Sequence, residues 1–322
     1  MTKRTQLTIP SERNFCMCDL YYALTDGLFE PTKKVKDADL HYRRVTRDFE
    51  AKFKDQMGKS HVQKITLGFR YPSTLNTQAE SILLAVLKIA GENRLEIQPE
   101  QMALQIFVGV EEVGQARKKP IIQTTCTMLE LLKAAGMNSD KRSYQQLKFY
   151  LEELAATTVK WRNHDTKWEG SSRMMEHAVN DDGSLIIQVN WRLAGAILGT
   201  YLYAEINLDE RNTLKKDAAK TLHRWLSAHL RRQIGDRQEY IEYHTLIKHI
   251  WSEKASGSTQ RKRLERLKNE ILPQINGLVE WTVEMKPEGA IITRHQGDYR
   301  PNNPPQFEAP KVSKKGKGKT AK

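Results

Sequence analysis

Between Ser252 and Ile271, a segment of small hydroxyl residues leads directly into a run of cations. Hydroxyl groups donate to phosphate oxygens, while Arg and Lys pair with phosphates and with base edges. The chemistry that this composition favours is contact with a polyanion. The candidate contact residues are Ser256, Ser258, Thr259, Arg261, Lys262, Arg263, Arg266 and Asn269.

A helix is expected to position these groups. Its apolar face is defined by four residues at helical spacing, Leu264, Leu267, Ile271 and Ile275. Lys262, Arg266 and Asn269 fall roughly opposite, in one continuous stripe. Ser258 is the predicted N-cap, and the helix is expected to end near Pro273 to Gly277.

The cations in the first turns of this helix oppose its macrodipole, which favours negative charge at the N-terminus. They therefore cost stability unless a polyanion lies against them. Duplex DNA is the favoured polyanion, because the major groove, about 12 Å wide, admits a helix. The alternative is a solvated basic helix with Glu265 and Glu270 as local partners.

The elements around this helix predict a winged-helix domain. A long amphipathic helix over Lys215 to Gln233, a short strand YIEY and a short helix HTLIKHIW precede it. A hairpin from Val279 to Arg294 follows it. A hairpin after a helix-turn-helix is the winged-helix order. Arg294, at the end of the hairpin, is expected to reach the DNA backbone or the minor groove.

The first half predicts the same order. LNTQAESILLAVLKIAG is a helix capped by Asn76 or Thr77 and ended by Gly91, and TMLELLKAAG is a second one. A third follows from about Arg142 to Ala156, after N-caps at Ser139 and Ser143. Its outward candidates are Arg142, Tyr144, Gln145 and Lys148, and those of the following wing strand are Lys160 and Arg162.

Together these patterns predict an α+β fold of tandem winged-helix domains. A loose N-terminus (1–18) precedes an N-terminal domain (19–208), in which a polar loop joins strands between Asn163 and Ser184. The C-terminal domain spans 209–296. The tail (297–322), rich in Pro and Lys, is expected to be disordered, because it cannot bury a core.

The charge and the cysteine content of the chain limit the classes of function that it can have. The 322 residues carry a net charge of +13, and the pI is about 9.5, which favours polyanionic partners. Three cysteines cannot pair evenly and indicate reduced thiols in the cytoplasm. No apolar run reaches the ~20 residues that cross a membrane, and no signal peptide is evident.

Catalytic motifs are not evident in the sequence. It contains no GxxxxGK[ST] loop, and His244 and His249 miss the spacing of a HExxH zinc site. Asp181 and Asp182 precede Gly183 and predict a turn. We therefore expect a binding protein without enzymatic activity, cofactor or metal. A nuclease or a primase is the enzymatic alternative.

A further pattern runs from Trp251 to Arg294. It joins a tryptophan, a Ser-Glu pair, ASGST, a basic helix, a Leu-Pro step, Trp-Thr-Val and a closing Ile-Thr-Arg. These are Trp251, Ser252–Glu253, Ala255–Thr259, Arg261–Arg266, Leu272–Pro273, Trp281–Val283 and Ile292–Arg294. The pattern resembles the RepC proteins, the iteron-binding replication initiators of IncQ-type plasmids, and weaker similarity extends upstream to about residue 20.

This resemblance implies a plasmid replication initiator. Such proteins bind direct repeats at the origin through two winged-helix domains, promote local duplex opening and permit helicase loading. The implied partners are duplex DNA, a plasmid or host replicative helicase and a primase, and self-association stays open. A transcriptional repressor with the same modules is the alternative. The chain departs from the family in the insert at 163–184 and in the lysine tail.

Overall fold

The computed structural model describes residues 14–31, 42–54, 60–72, 75–97, 112–114, 121–165, 167–232, 235–252 and 255–295. The predictions for residues 1–13 and for the tail at 297–322 lie outside these ranges.

The first half mixes short helices with eleven described strands. In chain order these elements are β1 (Phe15–Asp19), α1 (Leu20–Leu24), β2 (Tyr42–Lys54), β3 (Ser60–Pro72), α2 (Thr77–Glu92), β4 (Arg94–Ile97), β5 (Glu112–Gly114), β6 (Ile121–Cys126), α3 (Met128–Ala134), α4 (Lys141–Ala155), β7 (Thr158–Asn163), β8 (Trp168–Arg173), β9 (Met175–Val179), β10 (Leu185–Val189), α5 (Trp191–Ile197) and β11 (Tyr203–Asn207).

The second half is mainly helical and ends in a hairpin. Its elements are α6 (Leu208–Thr213), α7 (Asp217–His229), β12 (Arg237–Glu242), α8 (Tyr243–Ile250), α9 (Gly257–Arg266), a π-helical turn (Leu267–Ile271), α10 (Leu272–Asn276), β13 (Trp281–Met285) and β14 (Gly289–Arg294).

The helix α2 is the central helix of the N-terminal core. Asn76 caps it, since its side-chain oxygen accepts hydrogen bonds from the N–H groups of Gln78 (2.8 Å) and Ala79 (3.2 Å). The predicted apolar face is buried: Ala79, Ile82, Leu83, Val86, Leu87 and Ala90. Gly91 does not end the helix as expected, because the helix continues to Glu92.

Each half contains a helix-turn-helix followed by a hairpin. In the N-terminal half, α3 and α4 precede the β7–β8 hairpin, which belongs to a sheet of order β2-β3-β7-β8-β5. In the C-terminal half, α8 and α9 precede the β13–β14 hairpin in a sheet of order β12-β14-β13. The predicted α+β architecture of tandem winged-helix domains is confirmed.

Several local predictions are wrong. Phe15–Cys18, assigned to a loose N-terminus, belong to β1, because they pair with β11 and bury Phe15, Cys16 and Cys18. The loop predicted over 163–184 contains β8 and β9, since the sheet supplies partners that a polar sequence does not reveal. Asp140 caps α4 instead of a serine, and Ser256 occupies the N-cap position of α9 instead of Ser258.

The buried residues form two hydrophobic clusters: the first extends to Leu208 and also includes Ala228 of α7, and the second begins at Leu214. Buried charges join the two halves. Glu80 on α2 pairs with Arg211 (2.8 Å) and with Arg224 (2.7 Å), and all three side chains are almost fully enclosed. Arg224 also donates to the carbonyl of Ala23 (2.9 Å). Since buried charges require partners, these contacts fix how the two domains sit against each other.

Among the residues that the structure describes, no helix combines the length and the apolar composition needed to cross a membrane.

Candidate nucleic-acid interface

The start of α9 lacks the caps that usually complete a helix N-terminus. The Ser256 side chain makes no hydrogen bond to a helix N–H, and its Oγ donates instead to Thr259 Oγ1 (3.2 Å). No acidic residue lies in the first turn. The first N–H groups of α9 therefore keep their capacity to bind an anion, and the helix dipole favours one there.

Most of the predicted contact residues lie together on the exposed surface of α9. Seven are exposed and Arg263 is half-buried; the exposed ones are Ser256, Ser258, Thr259, Arg261, Lys262, Arg266 and Asn269. Among the described residues, no acidic side chain forms an ion pair with Arg261, Lys262 or Arg266. The solvated-helix alternative expected Glu265 or Glu270 as partners, but Glu270 pairs with Lys216 (3.1 Å).

Trp251 forms a platform that the sequence analysis did not assign to this surface. The guanidinium groups of Arg263 and Arg266 lie 5.5 and 5.8 Å from the centre of its indole ring. Trp251 is held at the C-terminal end of α8, where its N–H donates to the carbonyl of Ile247. Cation–π contact orders the two arginines before any ligand arrives.

Two further cations were missed, because they are far from α9 in sequence. Lys215 and Lys216, just before α7, line a cleft of about 570 Å³ together with Thr259, Lys262, Arg263, Arg266 and Trp251. Their backbone N–H groups both donate to Gln274 Oε1 (3.0 and 3.3 Å), which fixes this segment beside α9. The Lys-Lys step was visible in the sequence, but only the fold brings it to this surface.

A π-helical turn separates α9 from α10. The N–H of Leu272 donates to the carbonyl of Leu267, five residues earlier, instead of four. Pro273 follows directly, and a proline clashes with the carbonyl four residues before it and lacks an N–H. The wider turn accommodates Pro273 without breaking the axis, so Leu267, Ile271 and Ile275 all remain buried while Asn269 stays exposed.

The corresponding helix of the N-terminal half, α4, has a different start. Asp140 accepts a hydrogen bond from the N–H of Ser143 (2.8 Å), and this bond lowers the pKa of the carboxyl group. The carboxylate already occupies the position that a phosphate would take in α9. Contact with a polyanion at α4 therefore depends on its side chains.

Among those side chains, Arg142, Gln145 and Lys148 are exposed, as expected. Tyr144 is only half-exposed, because it packs against the N-terminal core. Phe149, which the sequence analysis did not select, is 43% exposed on the same helix. An exposed aromatic ring beside Gln145 can contact a thymine methyl group.

The β7–β8 hairpin presents its two predicted cations differently. Lys160 is exposed on the open face of the sheet. Arg162 is also exposed, but its Nε and Nη2 donate to Glu169 Oε2 at 3.0 and 2.9 Å. Arg162 must share or release Glu169 before it can bind a phosphate.

Arg294 does not have the predicted role. It is fully buried and donates to the carbonyls of Ser227 (3.0 Å) and Glu205 (2.9 Å), and it also pairs with Glu280 (3.3 Å). Burial lowers the pKa of its guanidinium group. The expectation was wrong because strand alternation places Arg294 on the inner face of β14 with Ile292 and Ala290.

The sequence of the chain decides its family. Residues 21–294 match the family model of replication protein C (RepC). The chain belongs to the RepC family. The resemblance drawn from Trp251 to Arg294 is confirmed by this match, which places the RepC member among replication proteins and extends over both winged-helix domains. No curated protein sequence matches the chain.

Solved structures similar to this RepC member are distant. A selenomethionine derivative of domains 2 and 3 of RctB is 9% identical, with a TM-score of 0.46 over 86% of this chain and 98% of that one. The Pi initiator protein in complex with iteron DNA is 12% identical, with a TM-score of 0.40 over 69% of this chain and 92% of that one. The assignment rests on the family match and not on these likenesses.

Proposed function

We propose that this protein initiates replication by binding direct repeats, or iterons, in duplex DNA at an origin. The observation that carries the proposal is the start of α9, which is exposed, acid-free and uncapped by any side chain, and where no described acidic side chain pairs with Arg261 or Lys262. The Pi initiator, solved with iteron DNA, binds the kind of DNA proposed here.

In this proposal α9 enters the major groove. Lys262, Arg266 and Asn269 face the base edges or the adjoining phosphates, and the N-terminal N–H groups receive a phosphate. Lys215 takes a neighbouring phosphate from the side of the cleft, and Lys216 joins it by releasing Glu270. The helix α4 reads a second segment with Arg142, Gln145 and Lys148, and Lys160 contacts the backbone beside it.

The proposed activity uses binding energy and no bond-making chemistry. Opening a duplex costs on the order of 1.4 kcal/mol per base-pair step. Several protein molecules that bind adjacent repeats and associate with one another can supply this free energy by bending and untwisting the DNA. A plasmid or host helicase and then a primase would bind the opened origin in the cytoplasm. A repressor with the same modules would bind DNA in the same way without opening it.

The direct experiment measures the affinity for the origin repeats after changing Lys262→Ala and Arg266→Ala together. Each lost contact removes a phosphate or base interaction, so specific affinity should fall by about 10- to 100-fold. The slope of log K against log salt should decrease by about 1.8 if both groups contact phosphates, at ~0.9 per contact. Fluorescence anisotropy across a salt series provides both quantities.

The matched control is Lys64→Ala with Lys88→Ala. It removes the same charge from exposed Lys64 and half-buried Lys88, which pair with Glu50 (3.3 Å) and Glu92 (3.4 Å). Affinity for the repeats should stay within about twofold of wild type, because neither lysine belongs to the interface. Equal losses in the two double variants would reject α9 as the groove helix and leave only nonspecific attraction.

Duplex opening is tested separately by permanganate footprinting of a supercoiled origin plasmid. Saturating protein should expose reactive thymines beside the repeats. Protection of the repeats without reactive thymines would favour the repressor over the initiator.

A further inference from the structure

The five-stranded sheet of the N-terminal domain has one open face, and its charges are unevenly compensated. The alternation of β2 and β3 places Tyr42, Arg44 and Thr46 on this face, together with Arg70. Register extends the face across β7 and β8, so that Thr158 lies beside Arg70 and Ser171 lies beside Lys160.

At one end of the face, the cations Lys64 and Arg162 each have an acidic partner. Lys64 pairs with Glu50 (3.3 Å), and Arg162 pairs with Glu169 (2.9 Å). This end is an ordinary solvated sheet surface, and it offers little net attraction to a polyanion.

At the other end, like charges face each other. Arg44 lies directly opposite Arg70 in the antiparallel register, and Lys160 lies beside Gly68, two residues along β3. Among the described residues, no acidic side chain forms an ion pair with Arg44, Arg70 or Lys160. Like charges directly opposite on neighbouring strands destabilise a sheet. A bound anion would remove that penalty.

An exposed aromatic ring accompanies these cations. Tyr42 is 50% exposed, and the Arg70 guanidinium lies 4.5 Å from the centre of its ring. The centre of the face is recessed, because Gly68 carries no side chain and only Thr46 and Lys160 approach its position. A planar group can therefore approach the ring and the guanidinium closely.

We propose that Tyr42, Arg44, Arg70 and Lys160 form a binding surface for single-stranded DNA. Unpaired bases stack on aromatic rings and on guanidinium planes, and a basic surface follows the phosphate backbone. The bases of a duplex are stacked on each other and cannot lie on Tyr42, so the aromatic ring favours a single strand.

Lys160 belongs both to this surface and to the duplex interface of the proposed function, whereas Tyr42, Arg44 and Arg70 belong to this surface alone. Tyr42 and Arg70 line a cleft with Ala155 and Ala156, at the C-terminal end of α4. Arg142 lies near the other end of this helix, about 20 Å away at ~1.5 Å per residue. Changes at Tyr42, Arg44 or Arg70 can therefore affect single-strand binding independently of duplex repeat binding.

The experiment measures the anisotropy of a fluorescein-labelled oligothymidine of about 20 nucleotides, longer than the ~4–16 that one binding fold covers. The full-length protein is compared with Arg44→Ser/Arg70→Ser. Affinity should fall at least about tenfold, and the salt slope should decrease by about 1.4, at ~0.7 per phosphate contact in single strands. Affinity for duplex repeats should stay within about twofold of wild type.

Lys64→Ser/Arg162→Ser is the matched control, because it removes the same charge from the compensated end of the same face. It should bind the oligothymidine like wild type. Loss of oligothymidine binding in both double variants, or in neither, would overturn the proposal. Equal losses of duplex and single-strand affinity in Arg44→Ser/Arg70→Ser would also overturn it, since they indicate general electrostatics.

The ring provides a second measurement. Tyr42→Ala should weaken oligothymidine binding by about tenfold, whereas Tyr42→Phe should retain it, because stacking needs the ring and not the hydroxyl group. Equal affinities of the two variants would contradict stacking on Tyr42. Folding is checked by thermal unfolding: Arg44→Ser/Arg70→Ser should melt no lower than wild type, since it removes like charges that face each other.

Discussion

Glu210 organises the buried polar groups of the C-terminal domain. Its carboxylate accepts hydrogen bonds from the N–H of Glu280 (2.7 Å) and from Trp281 Nε1 (3.2 Å), and it lies 3.5 Å from His223 Nε2. Burial alone would raise the pKa of Glu210, but these contacts lower it. His223 is fully enclosed, and burial lowers its pKa. The positive charges of Arg211 and Arg294 lower this pKa further, whereas Glu210 raises it.

Stability should therefore depend on pH through His223. In the unfolded chain His223 takes up a proton near its ordinary pKa of about 6.5, whereas in the folded protein it stays neutral to lower pH. The unfolded state then binds more protons, so the free energy of unfolding falls as pH drops below that value, by at most ~1.4 kcal/mol per pH unit. Urea titrations at about pH 7.5 and about pH 5.5, on either side of that pKa, measure the change.

His223→Asn should reduce this pH dependence, because asparagine does not titrate. The control is His244→Asn, which alters an exposed histidine paired with Glu242 and should leave the dependence as in wild type. An unchanged dependence in His223→Asn would assign the effect to other groups, such as half-buried His177, whose pKa burial also lowers.

At the scale of elements, the two groove helices differ in how their N-termini are completed. A carboxylate caps α4, while α9 begins with hydroxyl groups that bond to each other. A carboxylate stabilises a helix N-terminus and repels a phosphate from it. The N-terminus of α9 is therefore less stable by itself but free to bind an anion, whereas that of α4 is stabilised by its own carboxylate.

Exchanging the two caps tests this difference. Ser256→Asp should stabilise the protein by about 0.5–1 kcal/mol, because a carboxylate interacts well with the helix dipole. It should weaken duplex binding, because the phosphate position becomes negative. Thermal unfolding and anisotropy on the same samples measure both effects.

Asp140→Ser is the reciprocal change, since serine still caps a helix but carries no charge. Duplex affinity should stay the same or rise slightly, with little change in stability. If Ser256→Asp left duplex affinity unchanged, the α9 N-terminus would not be a phosphate site, and the groove contact would belong to the side chains alone.

At the scale of the whole molecule, one buried carboxylate joins the two winged-helix domains. Glu80 belongs to α2, whereas Arg211 and Arg224 belong to α6 and α7. Arg224 reaches further and donates to the carbonyls of Tyr22, Ala23 and Thr25. The relative orientation of α4 and α9, and with it the spacing of the two DNA segments that they can read, depends on these contacts.

Glu80→Gln should therefore destabilise the whole protein. Removing one partner leaves two buried guanidinium groups without their counter-charge, which costs about 3–5 kcal/mol. Denaturant unfolding should show a large decrease in the free energy of unfolding. The affinity for full repeats should be lost as well. The matched control Glu92→Gln, in the same helix, breaks a partly exposed pair with Lys88 and should change stability by less than about 0.5 kcal/mol. Similar stabilities of the two variants would show that Glu80 does not hold the domains together.

The sequence by itself determined what depends on neighbours along the chain. The helical spacing of Ala79 to Ala90 identified the buried face of α2, and the spacing of Leu267 to Ile275 identified that of the π-helical turn and α10, because periodicity records which side of an element meets a core. The exposed cations of α9 followed from the same argument. The residue pattern from Trp251 to Arg294 also identified the family.

Tertiary structure decided whatever depends on partners far apart in sequence. Glu80 and Arg211 are 131 residues apart, and no local pattern relates them. Arg294 has the sequence context of an exposed strand end, yet the fold encloses it among carbonyls of other elements. Lys215 and Lys216 reach the α9 surface, and Arg44 faces Arg70, only through the packing and strand register of the folded chain. Burial and charge pairing are properties of three-dimensional neighbours, and a sequence read in one dimension does not contain them.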